Sequence, residues 1–255
     1  MRFSQVFDIL GETVVGMRAR ILPLFALTVA VEIVALFAFE VDRFAELLTQ
    51  PAIGLDQLME RSSANPTFLM GLALVLVLAS SFQLGLWRPL RSIVLEGEDV
   101  TLKAAARDAA YRAVPAFLTI NIINIITMLT VLVALLVGAT VALIPQYMTF
   151  FVLFPAVYLV VARERAILNA LGDSVRWTVS LRWGPWLLGV QALSVVLGAL
   201  VSKLADTLTL GLGLTEAQTL PIVLAGGYAT YKFVQFVLFS TVFLAVDADE
   251  EAIHA

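Results

Sequence analysis

Residues 114–162 read VPAFLTINIINIITMLTVLVALLVGATVALIPQYMTFFVLFPAVYLVVA, and none of them is charged. A helix that crosses the hydrocarbon core, about 30 Å thick, needs roughly 20 mostly apolar residues. This run is about twice that length, and its reading decides the fold. It predicts two spans joined by a tight turn around Gly138 or Pro145. Four more stretches pass the same test: residues 21–39, 68–87, 186–202 and 222–246. The expectation is an all-α integral membrane protein with six transmembrane helices.

Composition points the same way. Of 255 residues, 60% are hydrophobic and 14% charged, against about 45–50% and 25% in average globular chains. Too little charge remains to coat a soluble protein of this size. The net charge of −4 gives no basic excess for nucleic acid. With no cysteine, disulfides, thiolate nucleophiles and Cys-ligated metals are excluded. The one histidine is His254, in an acidic tail, so neither Ser–His–Asp chemistry nor a zinc site can be assembled. Gly211-Leu-Gly213-Leu-Thr215 reads as a turn between spans 5 and 6, because no phosphate-loop motif surrounds it. No catalytic residue, metal or cofactor is expected, and the chain does not read as an enzyme.

Lys and Arg in the connecting segments set the orientation. Arg2, Arg18 and Arg20 precede span 1. Arg88, Arg91, Lys103, Arg107 and Arg112 lie between spans 2 and 3. Arg163, Arg165, Arg176 and Arg182 lie between spans 4 and 5. The opposite side carries only Arg43, Arg61 and Lys203. Both termini are therefore expected in the cytoplasm of a bacterial inner membrane. Trp87, Trp177, Trp183 and Trp186 fall on the same side, where indole rings suit the headgroup zone.

The three basic segments share a plan: an amphipathic stretch ending in Arg, then a proline at or just before the next span. They read Arg18-Ala-Arg20-Ile-Leu-Pro23, Arg112-Ala-Val-Pro115 and Arg182-Trp-Gly-Pro185. Proline suits the first turn of a helix, where its missing N–H has no partner to lose. In the first segment Phe3, Val6, Phe7, Leu10, Val14 and Met17 recur at helical spacing. The second has Thr101 as an N-cap and Asp108 spaced to pair with Arg112. The third sets Ile167, Leu168, Leu171, Val175 and Val179 against Arg165, Asn169, Asp173, Arg176 and Ser180. The pattern suggests a threefold internal repeat of one cytoplasmic amphipathic interfacial helix and two spans. The chain then forms a single membrane domain, 1–255. It comprises an amphipathic helix (1–20), a six-span bundle (21–246) and an acidic tail (247–255) expected to be disordered. The external loop, 40–66, reads as a partly helical flap.

Polar groups inside the spans are the candidate site. Glu32 in span 1 and Lys232 in span 6 lie at similar depths, about 16 and 21 Å at roughly 1.5 Å per residue. Charges so deep are costly unless paired. They read as a structural ion pair, or alternatively as part of a relay. Tyr228, Tyr231 and Gln235 share the Lys232 face, and Asn121 and Asn124 lie three apart on span 3. Ser194, Gly198 and Ser202 make a small-residue seam, within one subunit or between subunits of an oligomer.

The opening Phe3-Ser-Gln-Val-Phe-Asp-Ile-Leu10, the stretch Ala162-Arg-Glu-Arg-Ala-Ile-Leu-Asn-Ala-Leu-Gly-Asp-Ser-Val-Arg-Trp177, and Trp183-Gly-Pro185 carry a resemblance. The arrangement resembles bacterial six-span proteins related to the membrane domain of glycerophosphoryl diester phosphodiesterases. In the enzymes of that family a separate soluble barrel performs catalysis, and nothing here corresponds to it. The resemblance therefore implies a membrane module without phosphodiesterase activity. The leading expectation is a non-catalytic protein that organises the membrane or docks lipid or protein at the cytoplasmic face. Arg107, Arg112, Arg165 and Arg176 are the candidate contacts to anionic lipid headgroups. The alternative is a small transporter or channel with a polar path past Glu32, Asn121, Asn124 and Lys232.

Overall fold

The computed structural model describes residues 3–38, 66–135, 148–207 and 223–254. In chain order the helices are α1 (Phe3–Arg20), α2 (Leu22–Ala38), α3 (Pro66–Gly85), α4 (Trp87–Val94), α5 (Leu102–Leu135), α6 (Pro155–Ala162), α7 (Ile167–Val179), α8 (Gly184–Asp206) and α9 (Ala229–His254). A π-helical turn, Val223–Tyr228, leads into α9. No strand occurs among the described residues.

Among the described residues, four helical stretches are long and apolar enough to cross a membrane: Met70–Val94, Leu102–Leu135, Gly184–Val201 and Gly226–Ile253. A fifth span results if the bent pair Ser4–Arg18 and Leu22–Leu36 is counted as one. The described parts of the other two expected spans, which border undescribed residues, are shorter. With 17 residues, α2 covers about 26 Å at roughly 1.5 Å per residue, and the apolar stretch Met148–Ala162 is shorter still. The turn expected around Gly138 or Pro145 and the loop flap lie outside the described residues, apart from Pro66.

The proline rule holds at two places and fails at the third. Pro23 and Pro185 are each the second residue of their helix. Pro115 instead lies inside α5, which runs unbroken for 34 residues. The Thr101 cap expected at its start is present: Thr101 Oγ1 accepts from the Ala104 N–H at 3.3 Å. So the second basic segment and the third span are one helix of about 51 Å, not an interfacial helix followed by a span. A proline removes one backbone bond, and apolar neighbours on both sides outweigh that local preference for ending the helix.

The chain divides into two compact units: Met1–Phe25, Ser81–Gln191 and Val237–Ala255 form the first, and Ala26–Ser80 with Ala192–Phe236 the second. In the first unit α5 approaches the end of α3 closely. A Cβ on Gly85 would sit 2.3 Å from the Ala109 carbonyl oxygen, so only glycine permits this contact. Around it lies an aromatic core. Trp87 meets Phe243 edge-on at 5.3 Å and Phe154 at 6.1 Å, and Tyr158 lies 5.2 Å from Phe243. The Trp87 indole N–H donates to Ser240 Oγ at 3.1 Å. Trp87, Trp177 and Trp183 are all buried and so pack against the protein's own side chains. A buried indole gains from the large apolar area it packs.

Candidate functional site

The acidic tail is the main departure from the sequence reading. Residues 247–254 continue α9 as helix rather than being disordered. Asp247, Asp249 and Glu250 are buried, because arginines from α4, the turn after α6, α7 and the turn before α8 converge on them. Asp247 accepts from Arg91 Nε at 2.8 Å, Arg163 Nε at 2.6 Å and the Tyr158 hydroxyl at 2.7 Å. Glu250 accepts from Arg176 Nη2 at 2.6 Å and also from Arg163. Asp249 takes a two-point contact from Arg182 at 2.5 Å per bond, with the Trp183 indole N–H donating at 2.7 Å. Arg91 Nη2 also reaches Glu251 at 2.5 Å. Buried charges persist only when paired and hydrogen-bonded in this way.

Local structure explains how the guanidiniums arrive. Arg88 and Arg91 sit three apart on α4, which a one-residue break at Leu86 separates from α3, and they reach Glu164 and Asp247. After α6 the chain turns through Glu164, the one described non-glycine residue with positive φ, at 56°. That turn is fastened by the Arg165 N–H donating to the Leu159 carbonyl at 3.1 Å. It presents Arg163 to Asp247, while Arg165 is exposed. Glu164 pairs with Arg88 Nε at 3.3 Å and with Arg112, so Arg112 does not use the expected Asp108. Burial alone would lower the basicity of the Arg163 guanidinium, but Asp247 and Glu250 outweigh it and hold its pKa above the usual value. Burial would likewise raise Glu96, yet the Ser92 hydroxyl with Arg88 and Arg91 holds it below the usual carboxylate range. For Arg182 the hydrogen bonds to Asp249 raise the pKa.

These groups surround an open pocket of about 960 Å³. Its wall carries Arg88, Arg91, Arg163, Arg165 and Arg176. Glu164, Asp173, Glu250 and Glu251 complete the polar lining. Among the described residues no group of three or more His, Asp or Glu side chains is arranged to hold a metal ion.

The second unit holds the intramembrane candidates. Lys232 Nζ lies 3.3 Å from Glu32 Oε2, and Glu32 is 1% exposed. Glu32 also accepts from the Ser80 hydroxyl at 2.7 Å and the Tyr228 hydroxyl at 3.0 Å. Tyr228 ends the π-helical turn, a distortion that often marks functional positions. Gln235 donates to Ser194 Oγ at 2.7 Å and to the Tyr231 hydroxyl at 3.1 Å. The Gly198 position lies 3.8 Å from the Tyr231 ring, so the first two residues of the small seam pack within the chain. The side chain of Ser202 is outside the described residues.

The span 3 asparagines belong to the first unit and do not form a joint polar face. Asn121 donates to the Phe117 carbonyl of its own helix at 2.8 Å, and Asn124 is exposed. Of the four headgroup candidates, Arg107 and Arg165 are exposed and make no ion pair among the described residues. Arg112 and Arg176 are engaged by Glu164 and Glu250.

Sequence reasoning missed Asp247, Asp249, Glu250, Glu251 and Tyr158. The available signal was spacing: Asp247, Glu250 and Glu251 stand at i, i+3 and i+4, one face of a helix continuing from span 6. No protein-family model, no curated protein and no solved structure matches the chain.

Proposed function

We propose that this is a non-catalytic multi-pass protein of the bacterial inner membrane, with both termini cytoplasmic, that docks anionic lipid at its cytoplasmic face. The observation that carries this reading is the outward face of α7. Its inward face is fixed: Ala170, Ser174, Trp177 and Thr178 are buried, and Ser174 Oγ donates to the Val152 carbonyl at 2.7 Å. Its aliphatic residues Leu168 and Val179 point away, 81% and 67% exposed, followed by Leu181 at 96%. At 13 residues, or about 20 Å, α7 is too short to span. A short helix with an outward apolar stripe and exposed Arg165, Arg176 and Arg182 fits a position along the headgroup boundary. The resemblance of the arrangement to the membrane domain of glycerophosphoryl diester phosphodiesterases supports the same reading.

The test replaces Leu168, Val179 and Leu181 together by Asn and identifies co-purified lipid by native mass spectrometry. Retained phosphatidylglycerol and cardiolipin should fall several-fold, since about 0.8 kcal/mol is lost per CH₂ no longer buried. An unchanged lipid complement refutes the reading. Orientation is tested by reporter fusions: Gly97 and Asp173 should report cytoplasm, and Ser63 and Leu214 the opposite side.

The transporter reading retains one observation of its own, the buried Glu32–Lys232 pair beside a π-helical turn. It requires water to reach Glu32. Labelling of a cysteine at Ser80 by a membrane-impermeant thiol reagent would favour transport over docking.

A further inference from the structure

We propose that the arginine-walled pocket of the first unit binds a phosphate ester that also carries hydroxyl groups, either a free sugar phosphate or a hydroxylated phospholipid headgroup. The inference rests on the docking reading only for the second of these sources. Its size, about 960 Å³, lies at the upper end of the range for small-molecule sites, about 300–1,000 Å³. Its chemistry has two halves.

The first half is unspent donors. A guanidinium offers five N–H groups in a planar fork that matches phosphate oxygens. Arg91 and Arg163 spend theirs on Asp247, Glu250 and Glu251. Arg176 is different, contacting its acids through Nη2 alone, at 2.6 Å from Glu250 and 3.5 Å from Asp173. Arg88 uses Nε and Nη1, which leaves Nη2. Arg165 lines the same wall with no ion pair among the described residues. A network whose sole task was to fasten α9 would not need Arg165 there. Nor would it need the left-handed Glu164, which turns successive arginines to different tasks. Backbone held in a sparsely populated region tends to persist where a site depends on it.

The second half is acceptors. Glu164, Asp173 and Glu251 line the pocket beside the arginines, and all three are carboxylates able to accept from hydroxyls. With the two signs nearly balanced, the pocket has no strong net field to concentrate every anion. Recognition must come from matched donors and acceptors. A bare anion would satisfy the arginines and leave like charges facing it, whereas a hydroxylated phosphate ester satisfies both sets. That difference selects the ligand class.

The experiment uses the full chain in phosphatidylcholine nanodiscs and measures binding by calorimetry. Four soluble probes are glucose 6-phosphate, glucose, methyl phosphate and inorganic phosphate, each at constant ionic strength. Glucose 6-phosphate should bind and glucose should not. Methyl phosphate and inorganic phosphate should bind more weakly, by about tenfold for the hydrogen bonds they cannot make. Arg165→Gln should weaken glucose 6-phosphate by about tenfold while leaving the ligand-free Tm unchanged, because that side chain holds no other residue. In nanodiscs containing phosphatidylglycerol, competition with glucose 6-phosphate assigns the pocket to the headgroup, and its absence assigns it to the free ester. The proposal is overturned if no phosphate probe binds, or if Arg165→Gln binds as wild type does. Either result leaves the docking reading standing so long as the α7 triple variant still loses its anionic lipid. Loss of both results removes both ideas.

Discussion

Asp247 and Glu32 are both almost fully buried carboxylates, 0% and 1% exposed, yet their surroundings differ in kind. Asp247 is held by two guanidiniums and a tyrosine hydroxyl, and those guanidiniums also touch Glu96, Glu250 and Glu251. Each guanidinium of that cluster has a second acid to hold. Glu32 has one cation, Lys232, and two hydroxyls. Nothing else described nearby can replace the ammonium. One arrangement spreads charge over many groups and tolerates loss, while the other concentrates it in a single pair and does not.

The sharpest way to break this comparison is Lys232→Met. It strands a buried carboxylate, which should cost about 3–5 kcal/mol, read as a large fall in Tm in detergent. The double variant Glu32→Leu with Lys232→Met should recover much of that loss. If both single variants at these positions melt as wild type does, the pair is not a structural element. Asp247→Asn comes next. It keeps shape and removes charge, and the remaining acids hold Arg91 and Arg163, so the expected cost is about 2 kcal/mol, the scale of a charged hydrogen bond. A loss as large as that of Lys232→Met would show that the cluster has no reserve. Arg176→Gln should cost less, about 0–1 kcal/mol, because its side chain is 59% exposed and exposed ion pairs are weak.

The smallest effect is a pH dependence. Glu96 is held below its ordinary value of 4.5 in the folded chain, so its ionised form stabilises the fold. That contribution is complete above about pH 4.5 and is lost as the pH falls through the lower folded value. Thermal melts of wild type and Glu96→Gln should therefore differ at neutral pH and converge in acid. A constant difference across that range would mean that Glu96 acts by shape and not by charge.

Much of the first-order architecture was legible because it rests on local composition. Charge-free runs read as long apolar helices, and depth arithmetic put Glu32 and Lys232 at similar levels, where their side chains meet. The α9 cluster was not legible by that route. Asp247 stands 156 residues from Arg91 and 84 from Arg163, and no window along the chain contains both halves. Seen alone, a short acidic terminus has the composition of a disordered tail. Only the opposite charges of distant connectors give it a reason to stay helical. Pro115 shows the converse: a strong local signal was overridden by the continuity of the helix around it. Arg91, Arg163, Arg176 and Arg182, counted for orientation, are occupied in the folded chain, so one residue type carried two meanings and the count revealed only one.

The separation of Asp247 from its partners also has a consequence in time. At about 5–20 residues per second of synthesis, Asp247 is made some 4–17 s after Arg163 and about 8–30 s after Arg91. Throughout that interval Arg163 lacks Asp247 and Glu250, and Arg91 has Glu96 but not Asp247 or Glu251. Their positive charge is then not fully compensated in short connectors, the condition under which such residues bias a nascent segment toward the cytoplasm. In the proposed orientation, the ribosome thus delivers the cations while topology is being chosen and the anions once that choice is made. The same side chains serve first as an address and afterwards as a clasp.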